Sequence, residues 1–223
     1  MNTEKYKVLV IGANGSTGKI ICNLLRNSSK YQPIAMIREN SQANEFNQVG
    51  IETVLGDLEK DFESAYKGIH KVIFAAGSGG STGPEKTKAV DQEGAMKSID
   101  LAKKHEVGKF VMLSSMGAEN PDQMKDSPMH HYLVAKKKAD EHLIKSGLNF
   151  SIVRPGGLTD DAGTGKIEAA ESLSKRGKIS REDVAKTLIA VLESDTAPDT
   201  YFEMIAGEDK INDALEQLMV SHS

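Results

Sequence analysis

The chain has 223 residues, of which 39% are hydrophobic and 27% are charged, and this composition is typical of a globular protein with one large core. The formal net charge of −4 excludes a general attraction to nucleic acid or to an anionic membrane surface. No apolar run approaches the ~18 residues of a membrane span, and MNTEKYK leaves no room for a signal peptide before the first strand. The sequence predicts a cytoplasmic protein with a single domain over 1–223, a monomer or homodimer with no nucleic-acid or membrane partner.

Strands and helices are predicted to alternate along most of the chain, which is typical of a doubly wound parallel sheet with helices on both faces. Apolar runs indicate strands, and apolar residues at helical spacing indicate helices. The predicted strands lie at 8–11, 33–37, 51–55, 71–76, 110–113, 150–153 and 200–205. The predicted helices open at Ser16 or Thr17 and lie at 41–49, 61–66, 85–106, 129–145, 180–192 and 210–220, with polar loops at 77–84 and 156–177, the latter containing a short strand near Lys166. The last long helix has a capping pattern from Ser180 to Asp183.

The first strand ends in a glycine-rich turn within KVLVIGANGSTGK, where Gly12, Gly15 and Gly18 are spaced G-x-x-G-x-x-G. Glycines allow unusual backbone dihedrals and a close approach to a ligand. The helix that follows offers free N–H groups and a favourable dipole to an anion. Glycines that only form a loop are the alternative, but a strand before and a helix after the motif favour a dinucleotide diphosphate site.

Arg38 follows the second predicted strand, 20 residues after Gly18. In dinucleotide-binding folds this position faces the adenosine ribose, where an acid binds the 2′-hydroxyl and an arginine accommodates a 2′-phosphate. A guanidinium is well matched to phosphate oxygens, and Ser41 would add a hydroxyl. Glu39 is acidic but lies beside the strand end rather than at it. The sequence therefore predicts NADP(H) as cofactor in preference to NAD.

Tyr132 and Lys136 form a Y-x-x-x-K pair one helical turn apart. Their helix follows the fifth strand, which ends in Leu113-Ser114-Ser115 at the edge where open α/β sheets bind ligands. A tyrosine with a pKa of ~10 is a poor acid or base at neutral pH, and a neighbouring ammonium would lower that pKa. We predict that Tyr132 exchanges a proton with a carbonyl or alcohol during hydride transfer, while Ser115 holds the substrate oxygen; Ser114 is the alternative for that contact.

Taken together, these segments resemble the atypical short-chain dehydrogenase/reductases, in the NAD(P)H-binding, NmrA-like group that includes biliverdin IXβ/flavin reductase. The likeness covers nearly the whole chain. It is carried by VLVIGANGSTGK, MIREN, VLGDL, FAAGSG, VMLSSMG, YLVAK, IVRPGGL and ISREDVAKTLIAVL. The resemblance implies a Rossmann fold in three α/β/α layers with a small C-terminal substrate region, and residues 156–180 as the substrate-side loops. One departure is Asp91, where many relatives carry asparagine.

The resemblance also implies roles for individual residues. The cofactor phosphates would be held by Gly12, Asn14, Gly15, Ser16, Thr17, Gly18 and Arg38. The adenine would be flanked by Asp57 and Leu58, the ribose side lined by Ala75, Ala76 and Gly77, and the nicotinamide approached by Arg154, Pro155 and Gly156. The family's catalytic positions are matched by Ser115, Tyr132 and Lys136, and Lys136 would also bond the nicotinamide ribose.

Three functions are compatible with these residues. The first is an NADP-dependent oxidoreductase acting on a small carbonyl or alcohol or on a quinone- or flavin-type substrate. The second is a redox sensor or regulator that binds NADP(H) without turnover, which the retained tyrosine and lysine disfavour. The third is a nucleotide-sugar epimerase-like isomerase, for which the roughly 70 residues after Arg154 form a small substrate cap. The tyrosine–lysine pair also argues against biliverdin as the substrate.

Three further residues are reactive types without a predicted function. His130 and His131 stand at a helix start without a cysteine or carboxylate at recognisable ligand spacing, so the sequence predicts no metal site. Cys22 is the only cysteine and falls within the first helix pattern. It is predicted to be a small core residue rather than a nucleophile, and no disulfide is possible within the chain.

Overall fold

The computed structural model describes residues 5–79, 83–193 and 199–220, without the side chains of the last two. Predictions made for residues 1–4 of the N-terminal segment and for residues 80–82 of the first polar loop lie outside the described residues. The strands within these ranges are β1 (Tyr6–Ile11), β2 (Tyr31–Ile37), β3 (Glu52–Leu55), β4 (Lys71–Phe74), β5 (Lys109–Leu113), β6 (Phe150–Pro155), β7 (Gly157–Thr159), β8 (Lys166–Ala170), β9 (Lys178–Ser180), β10 (Thr200–Ala206) and β11 (Asp209–Lys210).

Helices connect most of these strands. The α-helices of the described chain are α1 (Ser16–Arg26), α2 (Ala43–Asn47), α3 (Pro84–Thr87), α4 (Ala95–Lys104), α5 (His130–Ile144), α6 (Arg181–Glu193) and α7 (Ile211–Val220). Short 3-10 helices lie at Asn40–Gln42, Glu63–Tyr66 and Pro121–Met124, and a π-helical segment lies at Lys88–Gly94. The predicted start of α6 is confirmed, because Ser180 Oγ accepts the Asp183 N–H at 3.0 Å.

The main sheet has nine strands in the order β11-β8-β10-β6-β5-β4-β1-β2-β3. The seven neighbouring strands β10-β6-β5-β4-β1-β2-β3 pair in parallel. At the edge of the sheet, β8 pairs antiparallel with β10 and with β11. Strands β7 and β9 form a separate parallel pair. The chain winds outward from β1 on one side and from β4 on the other, so a crevice opens between their carboxyl ends. The predicted doubly wound Rossmann fold is confirmed.

The central strand β1 is buried on both faces, as its unbroken apolar sequence predicts. Val8 and Val10 pack in the core under α1, α6 and α7. Leu9 and Ile11 pack in the opposite core, under α4, α5 and the 3-10 helix at Glu63–Tyr66. Two helical layers therefore enclose the sheet in a three-layer arrangement, and the ends of the central strands meet at one edge.

Two regions differ from the sequence prediction. The predicted single helix at 85–106 is divided into α3, the π-helical segment and α4. In the stretch predicted as loop-rich at 156–177, β7 was not predicted. The short strand predicted near Lys166 is present as β8, which extends the main sheet beyond β10.

Cys22 provides a test of the packing under α1. The residue is fully buried, and burial raises the pKa of its thiol to about 12. We expect a thiol reagent such as DTNB to label the native protein only at the rate of unfolding, because neither access nor thiolate is available in the folded state. A matched control is Ser29→Cys in a Cys22→Ala background, which places one thiol at an exposed position after the same helix. Labelling of native Cys22 as fast as this control would contradict the described packing.

Candidate active site

The glycine turn after β1 is built by close backbone contacts. Gly12 has a φ of +85°, and a Cβ there would lie 2.5 Å from the backbone nitrogen of Ala76. A Cβ on Gly18 would lie 2.1 Å from the carbonyl oxygen of Gly12. Both positions therefore require glycine, because a Cβ has no room at either, and at Gly12 the positive φ also disfavours a side chain. The Gly15 N–H donates to the Gly12 carbonyl at 3.0 Å and closes the turn.

Gly15 and the start of α1 leave room for a ligand. A Cβ on Gly15 would meet only the Gly12 carbonyl, at 3.3 Å, so the outer side of the turn is open among the described residues. Helix α1 begins at Ser16 with no side-chain cap and with no acidic residue in its first turn. Its first N–H groups have no intrahelical acceptors and form a site for an anion. The turn therefore fits the diphosphate of a dinucleotide.

Arg38 lies at the carboxyl end of β2, where the adenosine end of a dinucleotide is predicted. Its side chain is exposed, and its backbone N–H donates to Gln42 Oε1 at 2.9 Å. The pKa of nearby Asp57 is lowered, because the Glu59 N–H, Lys60 and Arg38 together outweigh the opposing effect of burial. Arg38 and Asp57 thus lie at the same corner of the sheet edge, with the guanidinium facing solvent.

Glu39 and Ser41 are engaged with each other in the short helix that follows β2. The Glu39 carboxylate caps this 3-10 helix in a reciprocal capping box with Gln42. Ser41 Oγ donates to Glu39 Oε2 at 3.3 Å. The acidic side chain beside Arg38 therefore has a local structural role, and the hydroxyl predicted to assist Arg38 contacts a carboxylate.

The ends of β3 and β4 supply the rest of the predicted cofactor edge. Leu58, after β3, packs on the π-helical segment at Gly94. A Cβ added to Gly94 would lie 2.8 Å from the Cβ of Leu58. The Ala75 N–H donates to the Ile11 carbonyl at 2.8 Å, which holds the end of β4 against β1. Gly77 is exposed. These residues border the crevice at the switch point, where open α/β sheets bind ligands.

Lys136 lies beneath this edge as a buried cation. Its side chain is 3% exposed, and Nζ lies 3.1 Å from Oδ1 of the fully buried Asp91. Nζ also donates to the carbonyl oxygens of Leu113, at 3.2 Å, and of Ala76, at 3.5 Å. These contacts join α5 to the carboxyl ends of β4 and β5.

Tyr132 lies one turn before Lys136 on α5. The Lys136 Nζ is 5.6 Å from the centroid of the Tyr132 ring, as the Y-x-x-x-K spacing predicts. The tyrosine is half-buried, and no described residue hydrogen bonds to its hydroxyl. Its phenol is therefore available to a ligand, while the adjacent ammonium is fixed by the protein.

The two serines after β5 have different surroundings. Ser114 is buried, and its hydroxyl donates to Asp140 Oδ2 at 2.9 Å. Ser115 is half-exposed and makes one long contact, 3.4 Å, to the Met116 carbonyl. Ser114 is thus committed to the protein interior, and Ser115 keeps a hydroxyl for a substrate.

Arg154 at the end of β6 is also committed to the interior. Its side chain is 5% exposed, with Nε 3.0 Å from Asp140 Oδ2 and a terminal nitrogen 3.5 Å from Glu119 Oε2. The guanidinium lies over the Tyr201 ring at 5.2 Å. The nicotinamide contact implied for Arg154, Pro155 and Gly156 stays a prediction, and the Arg154 side chain is engaged with Asp140 and Glu119.

Two acidic residues that were not predicted from the sequence hold this edge together. Burial raises the pKa of Asp140, although Arg154, Ser114 and Lys136 act in the opposite direction. Glu203 on β10 is buried and accepts the N–H groups of Gly117, at 3.2 Å, and Leu173, at 2.9 Å. Asp140 left a signal in the sequence, because it lies eight residues after Tyr132 on the same helical stripe.

Two cavities lie away from these groups. One of about 470 Å³ is lined by Ile20, Asn23, Leu24, Thr159, Asp160, Asp161, Ala162, Arg181 and Glu182. One of about 250 Å³ lies between α4 and α5 and is lined by Gln92, Met96, Lys138, Glu141, His142 and Lys145. Neither includes Ser115 or Tyr132, so the candidate catalytic groups lie outside both.

His130, at the start of α5, forms a surface contact. His130 Nε2 lies 3.2 Å from the exposed carboxylate of Asp122. Among the described residues, no three histidine, cysteine or acidic side chains form a group suited to a metal ion. Likewise, no helix in the described part of the chain is both long and apolar enough to cross a bilayer.

Comparison with known proteins identifies the family. Residues 12–195 match the model of a family described as NAD(P)H-binding. The chain belongs to this NAD(P)H-binding family. The match begins at Gly12 and contains the glycine turn, the ends of β2 to β6 and the tyrosine–lysine pair. With the fold, it confirms the resemblance to atypical short-chain dehydrogenase/reductases.

Relatives of this NAD(P)H-binding protein carry different names. A Bacillus subtilis protein named uncharacterized sugar epimerase YhfK is 40% identical over 215 residues, which cover 95% of this chain and 100% of the relative. Sanguinarine reductase of Eschscholzia californica is 26% identical, with 96% and 93% covered. A solved structure from Bacillus halodurans, provisionally named an NAD-dependent epimerase/dehydratase, is 39% identical, with a TM-score of 0.91 over 96% of this chain and 100% of that chain.

The Asp140–Arg154 pair can be tested by stability. Asp140→Asn keeps the shape of the side chain but removes the buried carboxylate that contacts Arg154 Nε. We expect the free energy of unfolding in urea to fall by about 3 kcal/mol. Asp122→Asn is the matched control, because that carboxylate is 93% exposed, and its loss is expected to cost less than about 0.5 kcal/mol. Equal stabilities for the two variants would show that the buried pair does not support the fold.

Proposed function

We propose that this member of the NAD(P)H-binding family is an NADP-dependent oxidoreductase for a small carbonyl, alcohol, quinone- or flavin-type substrate. The observation that carries the proposal is the available phenol of Tyr132 beside the fixed ammonium of Lys136, at the edge that holds the glycine turn. A binding protein without turnover has no need of a phenol paired with a buried cation. The name of the E. californica relative, a reductase, supports the same reaction class.

When bound, the nicotinamide ring supplies a hydride, and thus two electrons, to the substrate. In the reduction of a carbonyl, Tyr132 donates the phenolic proton to the substrate oxygen, so that the alcohol forms and a phenolate remains. The Lys136 ammonium stabilises that phenolate. Ser115 orients the substrate oxygen by a hydrogen bond. In the oxidation of an alcohol, the same groups act in reverse.

The preference for NADP(H) rests on Arg38. Its guanidinium is exposed at the end of β2, and the neighbouring Glu39 is engaged as a helix cap. A 2′-phosphate would therefore meet an exposed donor fork, while the Glu39 carboxylate is held in the helix cap. A ribose 2′-hydroxyl would gain less from the same residue.

The name of the B. subtilis relative makes an epimerase the second candidate. An epimerase returns the hydride to its substrate, so it would give no net oxidation of NADPH. Of the elements after β6, the strands β8, β10 and β11 belong to the main sheet, and the helices α6 and α7 pack on one of its faces. The remaining short segments offer little surface for a nucleotide sugar, which favours the reductase. Net oxidation of NADPH with any carbonyl, quinone or flavin would decide between the two.

Arg38→Ala tests the cofactor choice. Loss of the guanidinium is expected to weaken NADPH binding by about 1.5–3 kcal/mol, or roughly 10- to 150-fold in Kd, and to leave NADH binding nearly unchanged. Isothermal titration calorimetry with both cofactors measures this difference. Arg26→Ala is the control. Arg26 is the last residue of α1, far along the helix from the glycine turn, and its loss should alter the affinity for neither NADPH nor NADH. Equal losses for NADPH and NADH in Arg38→Ala would remove the basis for NADP selectivity.

Tyr132→Phe tests the proton donor. This change keeps the ring beside Lys136 and deletes only the hydroxyl, so kcat should fall by about 10²- to 10⁴-fold with NADPH affinity intact. Tyr6→Phe is the matched control on an exposed ring and should retain full activity. The assay is NADPH oxidation with a panel of quinones, flavins, aldehydes and ketones. Full activity of Tyr132→Phe on a verified substrate would contradict the proposal that Tyr132 is the proton donor.

A further inference from the structure

The helix that faces Lys136 is not a regular α-helix. Between α3 and α4, residues Lys88–Gly94 form a π-helical segment. Such wide turns are rare and occur frequently at functional sites. Here the segment packs on α5 and holds the carboxylate of Asp91 in the interior, with no exposed surface. A charge buried this completely needs a specific partner.

Asp91 joins two parts of the candidate active site. One oxygen, Oδ1, lies 3.1 Å from Lys136 Nζ. The other, Oδ2, accepts the N–H of Ser78 at 2.9 Å. A Cβ on Gly77 would lie 3.3 Å from Oδ1, so the loop after β4 is packed closely on the carboxylate. One side chain thus fixes both the ammonium on α5 and the loop predicted to border the cofactor ribose.

The surroundings of Lys136 make it dependent on nearby anions. The titratable and charged groups that face it are Asp91 from the π-helical segment and Tyr132 and Asp140 from α5, with Arg154 of β6 behind Asp140. Strands β4 and β5 present only the Phe74 ring and carbonyl oxygens. Burial alone would lower the pKa of Lys136, but Tyr132, Asp91 and Asp140 outweigh it and raise that pKa.

We propose that Asp91 is a positioning residue of the active site, which holds the Lys136 ammonium charged and beside Tyr132 and ties it to the loop at Ser78. This inference rests on the proposed oxidoreductase function, because it assigns the ion pair a part in proton transfer. Asp91 reaches neither the phenol nor the substrate and acts through Lys136. An ion pair that served the fold alone would stabilise the protein without affecting the pH dependence of turnover.

Removal of the charge on Asp91 acts on Lys136. The pKa of Lys136 falls, because burial is no longer offset by this carboxylate. Reduction by NADPH requires a charged lysine beside the phenol. The alkaline limb of its pH profile should therefore move to lower pH, by about one unit or more.

Asp91→Asn is the test, measured as kcat/KM for NADPH-dependent reduction across pH. Its matched control is Asp100→Asn on α4, which neutralises an exposed carboxylate and should leave the profile in place. Asp91→Glu keeps the charge and should retain the wild-type alkaline limb, even if a displaced Nζ lowers kcat. A wild-type profile in Asp91→Asn, or the same acidic shift in Asp91→Glu, would overturn the proposal.

A second measurement does not depend on turnover. The ¹⁵N resonance of Lys136 Nζ, assigned by its loss in Lys136→Met, reports the protonation of the ammonium directly. We expect it to titrate at least about one unit lower in Asp91→Asn than in the wild type, and at the wild-type position in Asp91→Glu and Asp100→Asn. If no substrate is found, this titration still tests the role of Asp91. Failure of the Asp91 proposal can therefore be distinguished from failure of the proposed oxidoreductase function. Should Asp91→Asn not fold, Asp91→Glu remains decisive, and a lowered Lys136 titration in that variant would contradict the proposal.

Discussion

The candidate site depends on one steric constraint, the contact of Gly18 with the carbonyl of Gly12. Helix α1 can start this close to β1 only because neither residue carries a side chain, since a Cβ on Gly18 would lie 2.1 Å from that oxygen. The contact brings the uncapped N-terminus of α1 to the end of the central strand. Gly12 in turn lies against the end of β4, so the same turn sets one side of the crevice at the switch point. Everything predicted to touch a dinucleotide is placed relative to this turn.

The second organising feature is a set of buried charges under the same edge. Lys136 with Asp91, and Arg154 with Asp140, are pairs taken almost entirely out of water. Burying such pairs brings little net stability, because desolvation offsets most of the attraction. Their geometry instead fixes the ends of β4, β5 and β6 relative to α5 and the π-helical segment. This arrangement leaves Ser115 and Tyr132 as the polar groups free to meet a ligand.

Much of the fold follows from local sequence pattern. All seven predicted strands are present, because runs such as VLVI and FVML are long enough to be distinguished from their surroundings. Strands β7, β9 and β11 have two or three residues, too few to show a period. The break at Lys88–Gly94 escaped prediction because Val90 within it and Met96 and Ile99 after it lie at near-helical spacing. Gly94 within the predicted helix was the available signal, since its missing side chain admits Leu58.

The site was predictable in its parts but not in its pairings. The glycine motif and the tyrosine–lysine spacing are local patterns, and the chain brings them to one edge because parallel strands end together. The hydrogen bond from Ser114 to Asp140 joins residues 26 positions apart, and the ion pair of Lys136 with Asp91 joins residues 45 positions apart. No local pattern encodes such contacts, although a carboxylate on an apolar helix face, as at Asp91, indicates that a partner must exist.

The central claim is that the glycine turn, Arg38 and Tyr132 belong to one dinucleotide site. A crystal structure of the protein with bound NADP⁺ tests it most directly. We expect the diphosphate on the N-terminus of α1, the 2′-phosphate at Arg38 and the nicotinamide within reach of Tyr132. A cofactor bound elsewhere, or one whose nicotinamide lies away from Tyr132 while the diphosphate occupies the glycine turn, would contradict it.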